Sequence, residues 1–353
     1  MQPEASQEVK KEVRFVGIDI GKAKCRAAIM DPGGLILEEF TFTNNHEGIE
    51  DLTSKLTLTD RVVMESTGSV WTNLYNHLDE KHIPITLANP LKTKAIASAK
   101  IKSDKVDARI LAHLLRSNLV AESYVPPKHL REIRTLIRHR VAIVKIRTMV
   151  KNEVHALIDT HGLVCPYSDI FGKGGLEWLR DLTLPSLDRL ILNNHLTHLE
   201  SLNQQTERVD EEIHSKACED EDVRILLSLT DINVYSALLV RSEIGTISRF
   251  PHYKKLVSWA GLAPSLHQSG SVELHGSITK QGSRMLRWVM VEAARVAVNH
   301  DDRMRAFHER VKHRRGDQKA IIAVANDAQN NLVHAHTQRT IRIQKRETVP
   351  EKT

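Results

Sequence analysis

The sequence of 353 residues contains only three cysteines. It has no long apolar run and no internal repeat. Cys25, Cys165 and Cys218 are far apart, which argues against a disulfide framework or a zinc knuckle and favours a reducing setting. No apolar segment reaches the roughly 20 residues of a membrane helix, and the polar start lacks the apolar part of a secretory signal. We therefore expect a cytoplasmic protein with no membrane partner. The 19 histidines contain no HxxxH or HExxH pair suited to zinc, so none is predicted to be a ligand.

The charge and length of the chain narrow its range of functions. Lys and Arg number 50 against 44 Asp and Glu, a formal charge of +6. This excess favours a nucleic-acid partner only slightly, because mild basicity is common. A chain of this length exceeds one ordinary core, so we expect two or three domains.

The first 90 residues have the pattern of an α/β unit. The predicted strands are residues 13–21, 25–31, 35–44, 61–67 and 84–89, with helices at 46–56 and 70–82. The turn Asp31-Pro32-Gly33-Gly34 joins the second and third strands as a hairpin. Three antiparallel strands followed by β-α-β is the order of an RNase H-like fold, which is the fold class we predict.

The rest of the chain is predicted to be mostly helical. Helices are expected at 103–119, 128–151, 186–215, 225–245 and 285–298. Residues 248–264 are expected to form a helix and a turn, and residues 265–284 a polar loop. The leucine spacing of 186–215 is typical of a short coiled-coil seam. The segment 161–175 is rich in glycine and predicts a domain junction.

Four acidic residues have the spacing of a metal site. Asp19 ends the first predicted strand and Glu65 lies near the end of the fourth, so neighbouring strands would present both carboxylates to one point. Asp104 and Asp107, three residues apart, share one face of a helix. Mg²⁺ prefers oxygen ligands, and paired metal ions promote phosphodiester cleavage. A helix N-cap at Asp104 and an exposed first-turn acid at Asp107 would explain the second pair equally well.

Several motifs together resemble one family of enzymes. VGIDIGKAK (16–24), VVMESTG (62–68) and KSDKVDA (102–108) resemble the three acidic motifs of the DEDD-type transposases of insertion sequences. The segments 242–270 and 276–298 resemble the C-terminal transposase domain of the same family. The resemblance extends over roughly residues 13–325 in the family's order.

The resemblance implies an architecture of three parts. These are an α/β RuvC-like domain with an RNase H fold at 13–160, a mostly α-helical, coiled-coil segment at 161–216, and an α-rich C-terminal transposase domain at 217–340. The last part contains a helix-hairpin-helix-like segment, although its first turn lacks the usual glycines. The polar sequence after residue 325 departs from the family, whose members usually continue with an apolar helix.

The resemblance also implies a reaction. Asp19, Glu65, Asp104 and Asp107 would bind Mg²⁺ or Mn²⁺, and Ser269 of HQSGS would attack a DNA phosphate to form a covalent phosphoserine link. A serine hydroxyl is a weak nucleophile at neutral pH and needs a metal or a base. By itself, Ser269 has the character of an ordinary loop serine.

The expected partners are nucleic acids and further copies of the chain. The family implies DNA, both element ends and target, and some members are directed by a structured noncoding RNA, which makes a guide RNA a candidate partner. Strand exchange implies a homodimer or tetramer, with 186–215 as the expected subunit contact. Candidate nucleic-acid contacts are Lys102, Lys105, Arg131, Arg134, Arg138, Arg284 and Arg287. A solvated helix face explains the basic residues of 128–151 equally well, and Trp259 and Trp288 are predicted to lie in the core.

Three alternatives to a transposase remain. The first is a site-specific DNA invertase on the same scaffold, and the second is a RuvC-like nuclease that uses water instead of Ser269. The third is a nucleic-acid-binding remnant that has lost strand exchange.

Overall fold

The structure, a computed structural model, describes residues 12–66, 68–96, 104–228, 232–269 and 272–327. The side chains of residues 104–106, 267, 269, 272, 273 and 275 are outside the description. The chain divides after Val125 into two compact units. Among the described residues, no helix is both long enough and apolar enough to cross a membrane.

The first unit contains one mixed five-stranded sheet. Its strands are β1 (Phe15–Ile20), β2 (Lys24–Met30), β3 (Ile36–Thr43), β4 (Arg61–Glu65) and β5 (Ile85–Ala88). Their order across the sheet is β3-β2-β1-β4-β5. The β1–β2 and β2–β3 pairs are antiparallel, whereas the β1–β4 and β4–β5 pairs are parallel. The five predicted strands are confirmed, and the first unit is a mixed α/β structure.

Helices cover both faces of this sheet. Helices α1 (His46–Lys55) and α2 (Trp71–Glu80) lie on one face and α4 (Asp104–Arg116) lies on the other, while α3 (Pro90–Ile96) follows β5 along the chain. Ile18 and Met64 belong to a core with residues of α1 and α2, whereas Val63 packs with Leu111 of α4. Side chains alternate between the two faces along a strand. In β1 and β4, one residue therefore faces α1 and α2, and the next residue faces α4.

The second unit is mainly helical. Its helices are α5 (Lys128–Thr160), α6 (Lys173–Asp181), α7 (Ser186–Glu219), α8 (Glu221–Leu226), α9 (Val234–Ile244), α10 (Tyr253–Trp259), α11 (Arg284–His300), α12 (Asp302–Arg315) and α13 (317–327). The strands β6 (Pro264–Ser269) and β7 (Val272–Ile278) form an antiparallel pair. One core lies between α5 and α7, and another is built around Leu238 of α9 and Met290 of α11.

The prediction of a polar loop at 265–284 is wrong, because most of these residues form the hairpin β6–β7. The alternation of apolar and polar residues is weak there, and the apolar side chains of Leu266 and Leu274 are 52% and 63% exposed. An exposed hairpin is held by its backbone ladder and needs little apolar content, so its hydrophobic pattern gives little signal.

The prediction of a single helix at 225–245 is also wrong. Helix α8 ends at Leu226, and α9 begins at Val234 after the N-cap Asn233. The Asn233 side chain accepts a hydrogen bond of 2.8 Å from the Ser236 amide. Asn233 has a φ of −85°, so it caps a helix and is not the left-handed turn residue that a helix-hairpin-helix would need.

The long helices α5 and α7 pack together within the second unit, which begins at Pro126. The expected first domain, residues 13–160, would therefore include α5 as well as the first compact unit. On α7, Leu199 and Leu202 are buried in the core shared with α5, whereas Leu187 and Leu190 are exposed. Most of the predicted seam therefore packs within the chain.

Candidate active site

Asp19 and Glu65 lie at the same end of two paired strands. The parallel strands β1 and β4 are in register up to the pair Ile18 and Met64, and Asp19 and Glu65 are the next residues. Ile18 and Met64 point into the core beneath α1 and α2. Alternation along each strand therefore directs Asp19 and Glu65 to the opposite face, the one that α4 covers.

Helix α4 runs antiparallel to β1 across that face. Near its C-terminus, Arg116 Nη1 donates to the carbonyl oxygen of Pro32 (3.4 Å), in the turn between β2 and β3. In its middle, Ala108 and Ala112 lie against Gly17 of β1. The first turn of α4 consequently lies toward the end of the sheet that carries Asp19 and Glu65.

That first turn contains the other two predicted acids. Asp104 begins α4, although its side chain is outside the description, and Asp107 is half-buried one residue before Ala108. The structure thus brings the backbone positions of all four predicted carboxylates to one end of one sheet. Oxygen donors from two strands and a helix are the kind of ligand set that suits a hard divalent cation.

Arg109, on α4 beside the acidic turn, has a partner on the sheet. Its Nη2 donates to Glu39 Oε2 (2.7 Å) on β3, and the bond raises the pKa of the Arg109 guanidinium. The pair links the middle of α4 to the antiparallel side of the sheet. It therefore helps to hold the helix in position over β1.

The pKa of the Cys25 thiol is affected by the charge of Asp19. Burial raises the pKa of the Cys25 thiol to about 11, a hydrogen bond with the Gly21 backbone opposes the change, and the charge of Asp19 raises it further. Cys25 pairs with Ile20, the residue after Asp19. The thiol is therefore protonated at neutral pH and is not a candidate nucleophile.

Ser269 lies in the second unit, at the tip of the hairpin β6–β7. It is the last residue of β6 and pairs with Val272, and its side chain is outside the description. Residues 270 and 271, which complete the predicted QSGS motif, also lie outside it.

Comparison with known proteins identifies the family. A family model described as a transposase of the DEDD type of the IS110 group matches residues 16–162, and one described as "Transposase IS116/IS110/IS902 family" matches residues 223–309. The first match contains Asp19, Glu65, Asp104 and Asp107, and the second contains Ser269. The chain belongs to the DEDD-type insertion-sequence transposases. It is thus a DNA transposase or recombinase, and enzymes of this type typically use a divalent metal.

Individual relatives match over most of their length. The transposase for insertion sequence element IS1111A of Coxiella burnetii is 25% identical over 333 residues, which cover 90% of this chain and 87% of the relative. The putative transposase y4qE of Sinorhizobium fredii is 24% identical and covers 79% of this chain and 70% of its own. A pilin gene-inverting protein of Moraxella bovis is 26% identical over 322 residues, covering 87% of this chain and 90% of its own.

The DNA contacts predicted for this transposase on α5 differ in what their side chains do. Arg134 Nη2 donates to the carbonyl oxygen of Ser242 (2.7 Å), so its guanidinium has a partner within the protein as well as solvent. Arg138 Nη2 donates to Glu243 Oε1 (3.1 Å), but more than half of its side chain is exposed. Arg131 Nη1 donates to the Pro126 carbonyl (3.2 Å). Arg134 is therefore a structural link to the end of α9, and Arg138 retains an exposed guanidinium.

The two predicted contacts on α11 also differ. Arg287 Nη1 donates to the carbonyl oxygens of Gln281 (2.9 Å) and Gly282 (3.0 Å), and burial together with the charge of Arg284 lowers the pKa of Arg287. Arg287 therefore holds the turn before α11, while Arg284 is exposed. Lys102 and the side chain of Lys105 lie outside the described part of the chain.

Trp288 was expected in the core, and this expectation is wrong. Its side chain is 50% exposed, one helical turn from Arg284 on the surface of α11. Trp259, in contrast, packs against the core of the second unit as predicted. A tryptophan in the middle of an apolar sequence run looks like a core residue, and only its position on the helix reveals that it faces outward.

Proposed function

We propose that this transposase cleaves and rejoins DNA strands with Asp19, Glu65, Asp104 and Asp107 as ligands of Mg²⁺ or Mn²⁺ and Ser269 as the nucleophile. The observation that carries the proposal is the approach of α4's acidic first turn to the strand ends of Asp19 and Glu65. The sheet order, with three antiparallel strands followed by two parallel ones, supports an RNase H-like, RuvC-like fold for the first unit. When bound, the metal would supply positive charge to a phosphate under attack.

The residues of the chain would act in two steps. The Ser269 hydroxyl oxygen bonds to phosphorus and gives up its proton, while the bond from phosphorus to a DNA oxygen breaks and that oxygen takes a proton. In the second step a DNA hydroxyl attacks the phosphoserine, and the serine hydroxyl is restored. The covalent link retains the energy of the broken bond, so rejoining requires no ATP.

The proposal includes the assembly and its nucleic acids. Exchange of more than one strand requires at least two active sites, which supports a homodimer or tetramer as the working form. An RNA encoded beside the element is the proposed guide that pairs with donor and target DNA. Its contribution is tested by adding the transcribed flanks to the reaction.

The carboxylate roles are tested by strand cleavage on DNA that carries the element ends. We expect Asp19→Asn to lower the cleavage rate by at least about 100-fold, as the loss of one charge-stabilising group does in other active sites. The matched control is Asp51→Asn, an exposed acid on α1 in the same unit. Equal losses in both variants, or none in Asp19→Asn, would contradict the proposed metal site.

The nucleophile is tested with Ser269→Ala and with Ser271→Ala as its neighbour control. We expect cleavage and rejoining to stop in Ser269→Ala and to persist in Ser271→Ala. Cleavage that survives Ser269→Ala would favour a hydrolytic nuclease in which water attacks. DNA binding without cleavage by the unaltered protein, with its RNA supplied, would favour an inactive remnant.

A DNA invertase is a second candidate, because the Moraxella bovis relative is named as a pilin gene-inverting protein and matches most of this chain. The chemistry would be the same, and the DNA arrangement would differ. Inverted recombination sites around a promoter in the flanking DNA would favour inversion. Element ends with a noncoding flank would favour transposition.

A further inference from the structure

Two histidines and a glutamate from different helices converge in the first unit. His46 and Glu50 are four residues apart on α1 and so share one face of it, and His77 lies on α2. One ligand atom from each of the three side chains lies within 4.8 Å of the other two. The sequence separates His77 from Glu50 by a strand and two loops, so the cluster exists only in the folded unit.

The distances are close to those of a bound metal. Glu50 Oε1 lies 3.3 Å from His77 Nε2. With metal–ligand bonds of about 2.0–2.1 Å in tetrahedral geometry, neighbouring ligand atoms are about 3.3 Å apart. The Glu50–His77 edge therefore already has the required length, and the His46 ligand atom, which lies within 4.8 Å of both, has to approach by at most about 1.5 Å.

The His77 nitrogen also lacks the partner that a buried polar atom normally has. Nε2 is shielded from solvent and makes no hydrogen bond to the described residues, although Glu50 Oε1 lies 3.3 Å away. Most buried polar atoms in proteins are hydrogen-bonded. An imidazole nitrogen that faces a carboxylate and a second imidazole without a hydrogen bond is well placed to donate its lone pair to a cation.

We propose that His46, Glu50 and His77 bind a divalent transition-metal ion such as Zn²⁺, with a water molecule as the remaining ligand. Two imidazoles and one carboxylate suit zinc, cobalt or nickel, whereas Mg²⁺ requires oxygen ligands. Lys81 Nζ lies 3.9 Å from the other carboxylate oxygen of Glu50, which leaves Oε1 for the metal. The site lies on the α1 and α2 side of the sheet, opposite the face of Asp19 and Glu65, and is separate from the carboxylate site.

The metal would fasten α1 to α2 close to the strand ends of the carboxylate site. Just before α1, Asn44 Nδ2 donates to the carbonyl oxygens of Gly21 (3.0 Å) and Val70 (3.4 Å). Gly21 follows Asp19 by two residues, and Val70 is the N-cap of α2. A metal that joins the two helices would therefore stiffen the loops that follow β1 and β4.

The experiment is a titration of the metal-free full chain with Co²⁺, followed by visible absorption, in the presence of excess Mg²⁺. Magnesium occupies oxygen-ligand sites, and tetrahedral cobalt with nitrogen ligands has intense visible bands. We expect one equivalent of Co²⁺ to bind, Zn²⁺ to displace it, and Zn²⁺ to raise the melting temperature. His46→Gln, in which an exposed ring is lost, should weaken binding by at least about tenfold, the loss that even an outer partner of a metal site causes.

Two further variants complete the test. His77→Gln should behave as His46→Gln does, and His139→Gln, an exposed histidine of α5, should bind as the unaltered protein does. Retention of the absorption bands in His46→Gln, or no stoichiometric binding by the unaltered protein, would overturn the proposal. Asp19→Asn should leave the bands unchanged, which separates this site from the carboxylate site, and loss of the bands in that variant would overturn the assignment to α1 and α2.

Discussion

Gly17 of β1 and Ala108 of α4 are packed so closely that a Cβ atom on Gly17 would lie 2.1 Å from the Ala108 carbonyl oxygen. The same Cβ would lie 2.5 Å from the Ala112 amide nitrogen. Only glycine allows the helix backbone to come this close to the strand. The contact brings the acidic first turn of α4 down to the sheet beside Asp19.

Gly17→Ala should therefore push α4 away from the sheet. We expect a loss of about 2–3 kcal/mol in the free energy of unfolding, the upper part of the range for overpacking, and a loss of strand cleavage greater than the loss of folded protein. Urea denaturation and cleavage assays measure the two effects. Gly33→Ala is the control, because its Cβ would meet only the Asp31 side chain, at 3.3 Å. Normal cleavage by folded Gly17→Ala would show that the position of α4 is unimportant.

Asp60 provides a test of the first unit's stability. Its side chain is fully buried, and its two oxygens accept from Arg14 Nε (2.9 Å) and Nη2 (2.6 Å) and from the Thr57 amide (2.7 Å). We expect Asp60→Ala to cost about 3 kcal/mol of unfolding free energy, because the Arg14 guanidinium would lose its partner in a partly buried place. Glu38→Gln, which breaks the exposed pair with Lys55, should leave the stability nearly unchanged. Equal urea midpoints for the two variants would contradict this account.

The architecture was predictable from the sequence where apolar residues form a continuous run or recur with a clear period. The strands that carry Asp19 and Glu65 each have three consecutive buried residues, as expected for strands that are covered on both faces. The Asn45, Ser283 and Asp301 side chains cap the helices that follow them. The exposed hairpin that carries Ser269 lacks such a period and was missed. The group of His46, Glu50 and His77 could be anticipated only as an i, i+4 pair, since His77 joins it through the packing of α2 on α1.

Cys25 and Cys218 should react with a maleimide at very different rates at pH 8. Burial and the charge of Asp19 raise the pKa of Cys25 to about 11, so its reactive thiolate is scarce at pH 8 and increases about tenfold per pH unit up to that value. Cys218 is exposed. In a Cys165→Ser variant, we expect a maleimide to label Cys218 rapidly at pH 8 and Cys25 only in denaturant or at high pH. Equal labelling rates in the native protein at pH 8 would contradict the burial of Cys25.

Trp288 is expected to contribute to DNA binding. It is exposed beside Arg284, and stacking of a base on an aromatic side chain contributes about 1–3 kcal/mol. Trp288→Ala should therefore weaken binding of single-stranded DNA about 5- to 150-fold, measured by fluorescence anisotropy at fixed salt. Val296→Ala, another exposed apolar residue of α11, is the matched control. A Trp288→Ala affinity equal to that of Val296→Ala would exclude a stacking role.

Ser269 is proposed to become linked to DNA in a metal-dependent reaction. The reaction is best tested by tandem mass spectrometry of the DNA adduct formed with Mg²⁺, after digestion of both protein and DNA. Ser265, Ser271 and Ser277, which lie near Ser269 in the sequence, are the other possible attachment sites. We expect a nucleotide phosphate on Ser269 in the unaltered protein and none in the Asp19→Asn protein. A phosphate on another serine, or efficient strand cleavage with no adduct at all, would contradict the proposal.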